Sequence, residues 1–306
     1  MTSARFRWPK RLRFWHRRSL SYELMWIGLW ITVIYILAAL LAPQLQAGGW
    51  LQSPSADDSL GNIVHAPPSA QYWFGTDREG VDVFARTVYG AQAALQVVIA
   101  ATFFSLLLGV PLGLVSGYLG ATLDRILVFV MDAIYTLPGL LLAVTLAFGI
   151  GEAARGVLGA AVAISVAYIP QYYRVVRNHT VSIKTELFVE AARALGASPW
   201  RVLTRYLFGN IIQSVPVLFT LNAADAILTL GSLGFLGLGL PPGSPEWGND
   251  LRQALDALST GDIWWTSLYP GLAMTLLVVG LSLVGEGLNE FVNPLLKGDS
   301  QRPVGD

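Results

Sequence analysis

Apolar positions in this chain run in long unbroken blocks, without the short alternation of strands or the amphipathic period of surface helices. Leu24–Leu41 and Leu95–Leu114 hold no charged residue at all. A hydrocarbon core about 30 Å thick is crossed by about 20 apolar residues in helical form. The blocks predict six spanning helices, at about Leu24–Pro43, Ala94–Tyr118, Ile126–Ile150, Val157–Tyr172, Ile211–Leu236 and Leu268–Val284. The fourth is short and rich in Ala and Gly, and Pro170 is expected to interrupt it. The fold class is therefore an all-α integral membrane protein. Leu24–Leu41 is long for the core of a signal peptide, and Leu45-Gln46-Ala47 is a poor small-residue cleavage site, so a retained anchor is expected.

Composition agrees. Only 13% of the 306 residues are charged and 54% are hydrophobic, against about 25% charged in a soluble domain. The absence of cysteine excludes disulfides and thiolate chemistry. His16, His65 and His179 lie in three different regions, which argues against a histidine metal or catalytic cluster.

Charge placement orients the spans, because short cytoplasmic loops retain Lys and Arg. Arg5, Arg7, Lys10, Arg11, Arg13, Arg17 and Arg18 precede the first block without an intervening acid, so both termini are expected in the cytoplasm. The inside segments then hold sixteen of the twenty basic residues, leaving Arg78, Arg86, Arg155 and Arg252 outside. One outer loop is acidic through Asp57, Asp58, Asp77, Glu79 and Asp82, another through Glu246, Asp250, Asp256 and Asp262. The outer segment 44–93 reads as a loop skirting the membrane.

The inner loop between the fourth and fifth spans carries the most specific pattern. Thr185 is placed to cap a short helix from Glu186 to Leu195, with Gly196 as its stop. Ser198 and Pro199 start a second helix. On the first, Leu187, Phe188, Ala191, Ala192 and Leu195 recur at helical spacing, with Glu186, Glu190 and Arg193 largely off that face. A helix resting on lipid would show the same periodicity. The small residues and the tight corner favour a knob that docks on another protein.

Glu190-Ala191-Ala192-Arg193-Ala194-Leu195-Gly196-Ala197-Ser198, followed by Ile211 or Ile212 and Pro216, resembles the EAA loop of bacterial ATP-binding-cassette (ABC) importer permeases. Gly75-Thr76-Asp77, Gly80, Asp82, Arg86, Gly90-Ala91 and Leu95 resemble the entry to the second span in dipeptide, oligopeptide and nickel importer permeases. Gly117-Tyr118-Leu119-Gly120, Asp124, Asp132, Pro138, Phe235–Gly239 and Pro245-Glu246-Trp247-Gly248 continue that likeness, which runs from about 75 to 294 and is closest to the C-type subunit. Val81, Leu230, Asn289 and Asn293 depart from that pattern, which weakens inference about the solute.

The resemblance implies a type I ABC importer permease fold in a bacterial cytoplasmic (inner) membrane. It implies ATPase docking through Glu190, Ala191, Ala192, Arg193, Leu195, Gly196, Ala197 and Ser198. The implied partners are a homologous second permease, two ATPase subunits and an extracytoplasmic solute-binding protein, with ATP and Mg on the ATPases and no cofactor on this chain. No nucleic-acid partner is expected. The organisation expected is a basic N-terminus, first helix and external segment over 1–74, a permease domain over 75–298 and a cytoplasmic tail over 299–306.

Polar residues inside spans need a reason, since a carboxylate at mid-span costs roughly 2.5–3.5 kcal/mol on insertion scales. Asn222 and Asp225 in the fifth helix are read either as lining of the translocation path or as a packing contact with a partner permease. Asp132 is expected to pair with a base such as Arg125. Gly113 and Gly117 permit close helix contact, and Gly231, Gly234, Gly237 and Gly239 are expected to soften the end of the fifth helix. No GxxxxGK[ST] loop occurs, so the chain is not expected to hydrolyse ATP. A secondary transporter or channel would share the spans and Asp225 but not the paired short helices. An intramembrane enzyme would need a catalytic constellation that the spans lack.

Overall fold

A computed structural model describes residues 20–59, 61–151 and 155–292. The basic cluster Arg5–Arg18 and the tail 299–306 lie outside them. Helices α1 (Leu20–Ala47), α2 (Val83–Leu119), α9 (Val215–Phe235) and α11 (Trp265–Val292) are the long ones of the apolar blocks. Together with the helical run that leads into α9, they are long and apolar enough to cross a membrane. The other elements are α3 (Ala121–Thr136), α4 (Gly139–Ile150), α5 (Val157–Ile183), α6 (Leu187–Ala194), α7 (Pro199–Arg201), α8 (Phe208–Ile211) and α10 (Trp247–Thr260).

Two spans differ from their sequence pattern. The block Ile126–Ile150 is two helices, α3 and α4, meeting at 92°. Leu137 is extended (φ −80°, ψ 134°) because the Pro138 ring disfavours a helical residue before it. As one bent pair they make a fifth apolar segment. Pro170, by contrast, does not interrupt α5, which runs on for 27 residues to Ile183. Its second half carries Tyr172, Tyr173, Arg174 and Arg177, so it is long enough to span but less apolar than the others. The outer segment is also shorter than expected, because α2 already begins at Val83, where the Asp82 carboxylate accepts from the Phe84 N–H at 3.0 Å.

The core is the seam between α2 and α5. In lipid, apolar burial does not drive helices together, so close packing and interhelical hydrogen bonds must hold them. Gly109, Gly113 and Gly117 form one stripe on α2. A β-carbon at these positions would come within 2.6 Å of Tyr172 Cβ, 2.7 Å of the Tyr173 carbonyl and 2.7 Å of Thr180 Cβ. The glycine spacing thus serves packing within this chain. Ser105 donates to the Ser165 carbonyl at 2.9 Å, and the Ser116 and Tyr173 hydroxyls lie 2.7 Å apart. Around this seam, α1 packs on α11, and α9 lies between α11 and α2. Ile27, Trp30, Ile34, Leu37 and Leu40 of α1 stay exposed, as an apolar face turned toward lipid would.

Candidate docking helix and polar sites across the membrane

The EAA segment forms a compact corner. The N-cap of α6 is Glu186 (φ −72°, ψ 145°), without a side-chain cap. Thr185 does not cap the helix; its hydroxyl turns back to the Ser182 carbonyl at 2.9 Å. The helix ends as the glycine stop predicts. Gly196 has φ +82°, its N–H donates to the Arg193 carbonyl at 2.9 Å, and the Ala197 N–H donates to the Ala192 carbonyl at 3.0 Å. That pair of bonds satisfies carbonyls the helix end would leave open. The Ser198 hydroxyl then accepts from the Arg201 N–H at 3.4 Å and Pro199 opens α7, as expected. From Val202 to Leu207 the chain takes a π-helical turn before α8, a 3-10 turn over Ile212–Ser214 and α9. The second short helix therefore runs on toward the fifth span.

The faces of α6 divide differently from the sequence pattern. Val189 and Ala192 are both buried, and Val189 joins the same core as Val202 and Leu207. Leu187 and Leu195 are 81% and 89% exposed, and Phe188, Glu190, Ala191, Arg193 and Ser198 are also exposed. Trp200 just beyond the corner is 73% exposed. The Arg193 guanidinium lies 5.3 Å from the centre of the Tyr118 ring, and Lys184 Nζ donates to the Gly117 carbonyl at 2.7 Å. Both tie the knob to the end of α2. The Lys184 contact also places a cation on carbonyls at a helix C-terminus, where the dipole favours it.

Within the membrane, Asp225 is exposed on α9 and accepts from the Tyr168 hydroxyl at 2.8 Å. That hydroxyl also lies 3.1 Å from Thr229 Oγ1. Asn222, one turn earlier, is buried beside the buried hydroxyl of Tyr172. Asn222 and Asp225 thus share the α5–α9 seam but face different surroundings. Tyr168 had no signal in the sequence, being 57 residues from Asp225.

Asp132 pairs with Arg174 at 2.8 Å, and not with Arg125. Position 125 lies two turns, about 10 Å, along the same helix, beyond the i+3 and i+4 positions that meet, whereas α5 packs directly across α3. Asp124 takes a two-pronged bond from Arg177, with Nε to Oδ1 and Nη2 to Oδ2 both 2.7 Å.

At the opposite end, Arg86 is buried and bonds Asp250 through Nε at 2.9 Å and Nη2 at 2.5 Å, with Asp77 3.8 Å away. Glu246 caps α10, accepting from the Gly248 N–H at 2.8 Å and the Asn249 N–H at 2.9 Å. Burial pushes its carboxyl up to about 7, against the lowering effect of those two bonds. Gly234 has no room for a β-carbon beside the Glu246 carboxylate, and Gly248 abuts the Gly231 backbone. These glycines let α9 and α10 touch.

A family model described as "Binding-protein-dependent transport system inner membrane component" matches residues 109–298, which include the α2–α5 seam, the α6 corner and α9. The chain belongs to this family. The dipeptide transport system permease protein DppC of Alkalihalophilus pseudofirmus is 34% identical over 271 residues, 89% of this chain and 86% of that one. A putative peptide transport system permease of Brucella abortus is 34% identical over 281 residues (92% and 91%). The glutathione transport system permease GsiD of Escherichia coli is 33% identical over 291 (93% and 90%). A chain of the MetNI methionine ABC transporter in inward-facing form shares the fold, with a TM-score of 0.55 and 19% identity over 68% of this chain and 96% of that chain. This binding-protein-dependent permease is a multi-pass helical membrane subunit of an ABC importer.

Proposed function

We propose that this permease imports peptides or a similar small solute, and that the α6 corner couples it to separate ATPase subunits. The observation that carries the coupling is the pair of exposed leucines, Leu187 and Leu195, on a short helix whose other side is held to the core by Val189. An apolar surface on a rigid, small-residue helix at a basic end of the molecule suits a groove in a partner protein. Its residues Glu190, Ala191, Arg193, Gly196, Ala197 and Ser198 complete the contact in this reading. The ATP and Mg belong to those partner chains, and the pathway is completed by a homologous permease and fed by an extracytoplasmic binding protein. Both termini are cytoplasmic.

The peptide class is supported by the printed functions of the relatives, two of which transport dipeptides or glutathione. Asp225 is assigned to the path, since an acid exposed at mid-span needs water, solute or a partner's donor beside it.

The test is capture of the ATPase by the assembled permease. Leu187→Asp and Leu195→Asp change exposed side chains and should abolish capture while membrane insertion persists. Gly196→Val meets no neighbouring atom but puts a β-branched residue at φ +82°, a strain of about 1–3 kcal/mol; it should weaken capture, whereas Gly196→Asn, which tolerates that region, should not. Full capture by all three disruptive variants sinks the docking role.

A further inference from the structure

Between α3 and α5 lies an open cleft of about 440 Å³, within the range of roughly 300–1,000 Å³ typical of small-ligand sites. Asp132, Tyr135, Tyr173, Arg174, Arg177 and Asn178 line it. Two arginines and two carboxylates meet in this region, and their geometry separates them into two kinds of pair.

Arg177 and Asp124 form the closed pair. Both carboxylate oxygens are engaged by the guanidinium, Oδ1 also accepts from Ser116 at 2.6 Å, and the two side chains are 27% and 18% exposed. Arg174 and Asp132 form the open pair. They share one hydrogen bond, from Nη2 to Oδ1, and are 43% and 57% exposed. The Arg174 guanidinium lies 4.1 Å from the centre of the Tyr135 ring, which fixes its plane without occupying its edge. No other hydrogen bond from the Arg174 side chain or to the Asp132 carboxylate occurs among the described residues. The fork of Arg174 and the second oxygen of Asp132 are therefore available at the cleft wall.

We propose that this cleft is a binding station for a small zwitterion, with the ligand carboxylate on the Arg174 fork and its ammonium on Asp132. A guanidinium binds a carboxylate by two parallel bonds. Opening the single-bonded pair frees one cation and one anion together, so a ligand bearing both signs replaces one ion pair by two at no change in net charge. A ligand of one sign would leave the other charge without a partner. The closed Arg177–Asp124 pair holds α3 to α5 while this exchange occurs. The inference deepens the peptide reading, on which it rests for the solute class: it selects free termini over blocked ones.

The chain has no native cysteine, so Thr136→Cys, at the cleft wall, reports occupancy in the full transporter reconstituted in nanodiscs. Alanyl-alanine should slow maleimide alkylation of that cysteine in a saturable manner, and N-acetyl-alanyl-alanine amide should not. Adding Arg174→Gln or Asp132→Asn should weaken the apparent affinity on the order of tenfold or more, the usual cost of a lost hydrogen bond to a charge. No protection by alanyl-alanine, or equal protection by the blocked dipeptide, overturns the station. Uptake of alanyl-alanine by the unaltered transporter reads the solute class separately. Uptake without protection removes the station and leaves the peptide reading standing; protection without uptake does the reverse.

Discussion

Gly234 of α9 packs directly on the Glu246 carboxylate, which is itself held by the N–H groups of Gly248 and Asn249. A methyl group at 234 would displace a buried carboxylate already committed to a helix cap. Gly234→Ala should therefore combine overpacking of about 1–3 kcal/mol with loss of a cap worth about 1 kcal/mol. Thermal unfolding in detergent should show a clearly lowered midpoint. Gly237→Ala, which only approaches Arg252 at 4.0 Å but has φ +76°, should show backbone strain without disturbing the Glu246 cap.

The same carboxyl predicts a pH dependence. Burial raises Glu246 from 4.5 to about 7 and Asp82 from 3.8 to about 6. Both native states therefore bind protons more tightly than the unfolded chain does. Their contribution is complete below about pH 4 and is lost as pH rises through 6 to 7, the sign required when the unfolded state holds fewer protons. Stability of the region around α10 should fall between about pH 4 and 7 and level off above. Glu246→Gln should flatten that slope, at the expense of part of the cap, and an unchanged slope in hydrogen-exchange of α10 would refute the assignment.

Arg86 and Asp250 hold α2 to α10 from within a buried site. Removing one partner leaves a buried charge uncompensated, which costs about 3–5 kcal/mol. Arg86→Met should be strongly destabilising by denaturant titration. The double variant Arg86→Met/Asp250→Leu should recover much of the loss, since replacing a whole buried pair by apolar groups is often neutral. Equal loss in both would show that Asp77, 3.8 Å away, is the partner that matters.

Orientation can be read with cysteines placed in this cysteine-free chain. Ser198→Cys, exposed at the α6 corner, should react only with reagents that reach the cytoplasm. Ser244→Cys, before α10, should react with impermeant reagents added outside. Reversed accessibility overturns the assignment of both faces.

The sequence alone determined whatever depends on neighbours along the chain. Uncharged blocks marked where the apolar helices lie, though α2 and α5 run past the bounds of their blocks. Absence of a phosphate loop left nucleotide binding to other chains in the sequence reading, and the Gly196 corner followed from local backbone preference, as did the Ser198–Pro199 start. The tertiary structure decided what depends on partners far apart. Pro138 bends its span while Pro170 does not, and the residues themselves look equivalent in sequence; α5 is held along its length by the close approach of Gly109, Gly113 and Gly117. Asp132 found Arg174 on another helix, and the exposed and inward faces of α6 were fixed by Val189 meeting the core. Helical periodicity reports that a helix has an apolar side, but only the packing of other helices shows which apolar side chains are already covered and which, like Leu187 and Leu195, remain exposed.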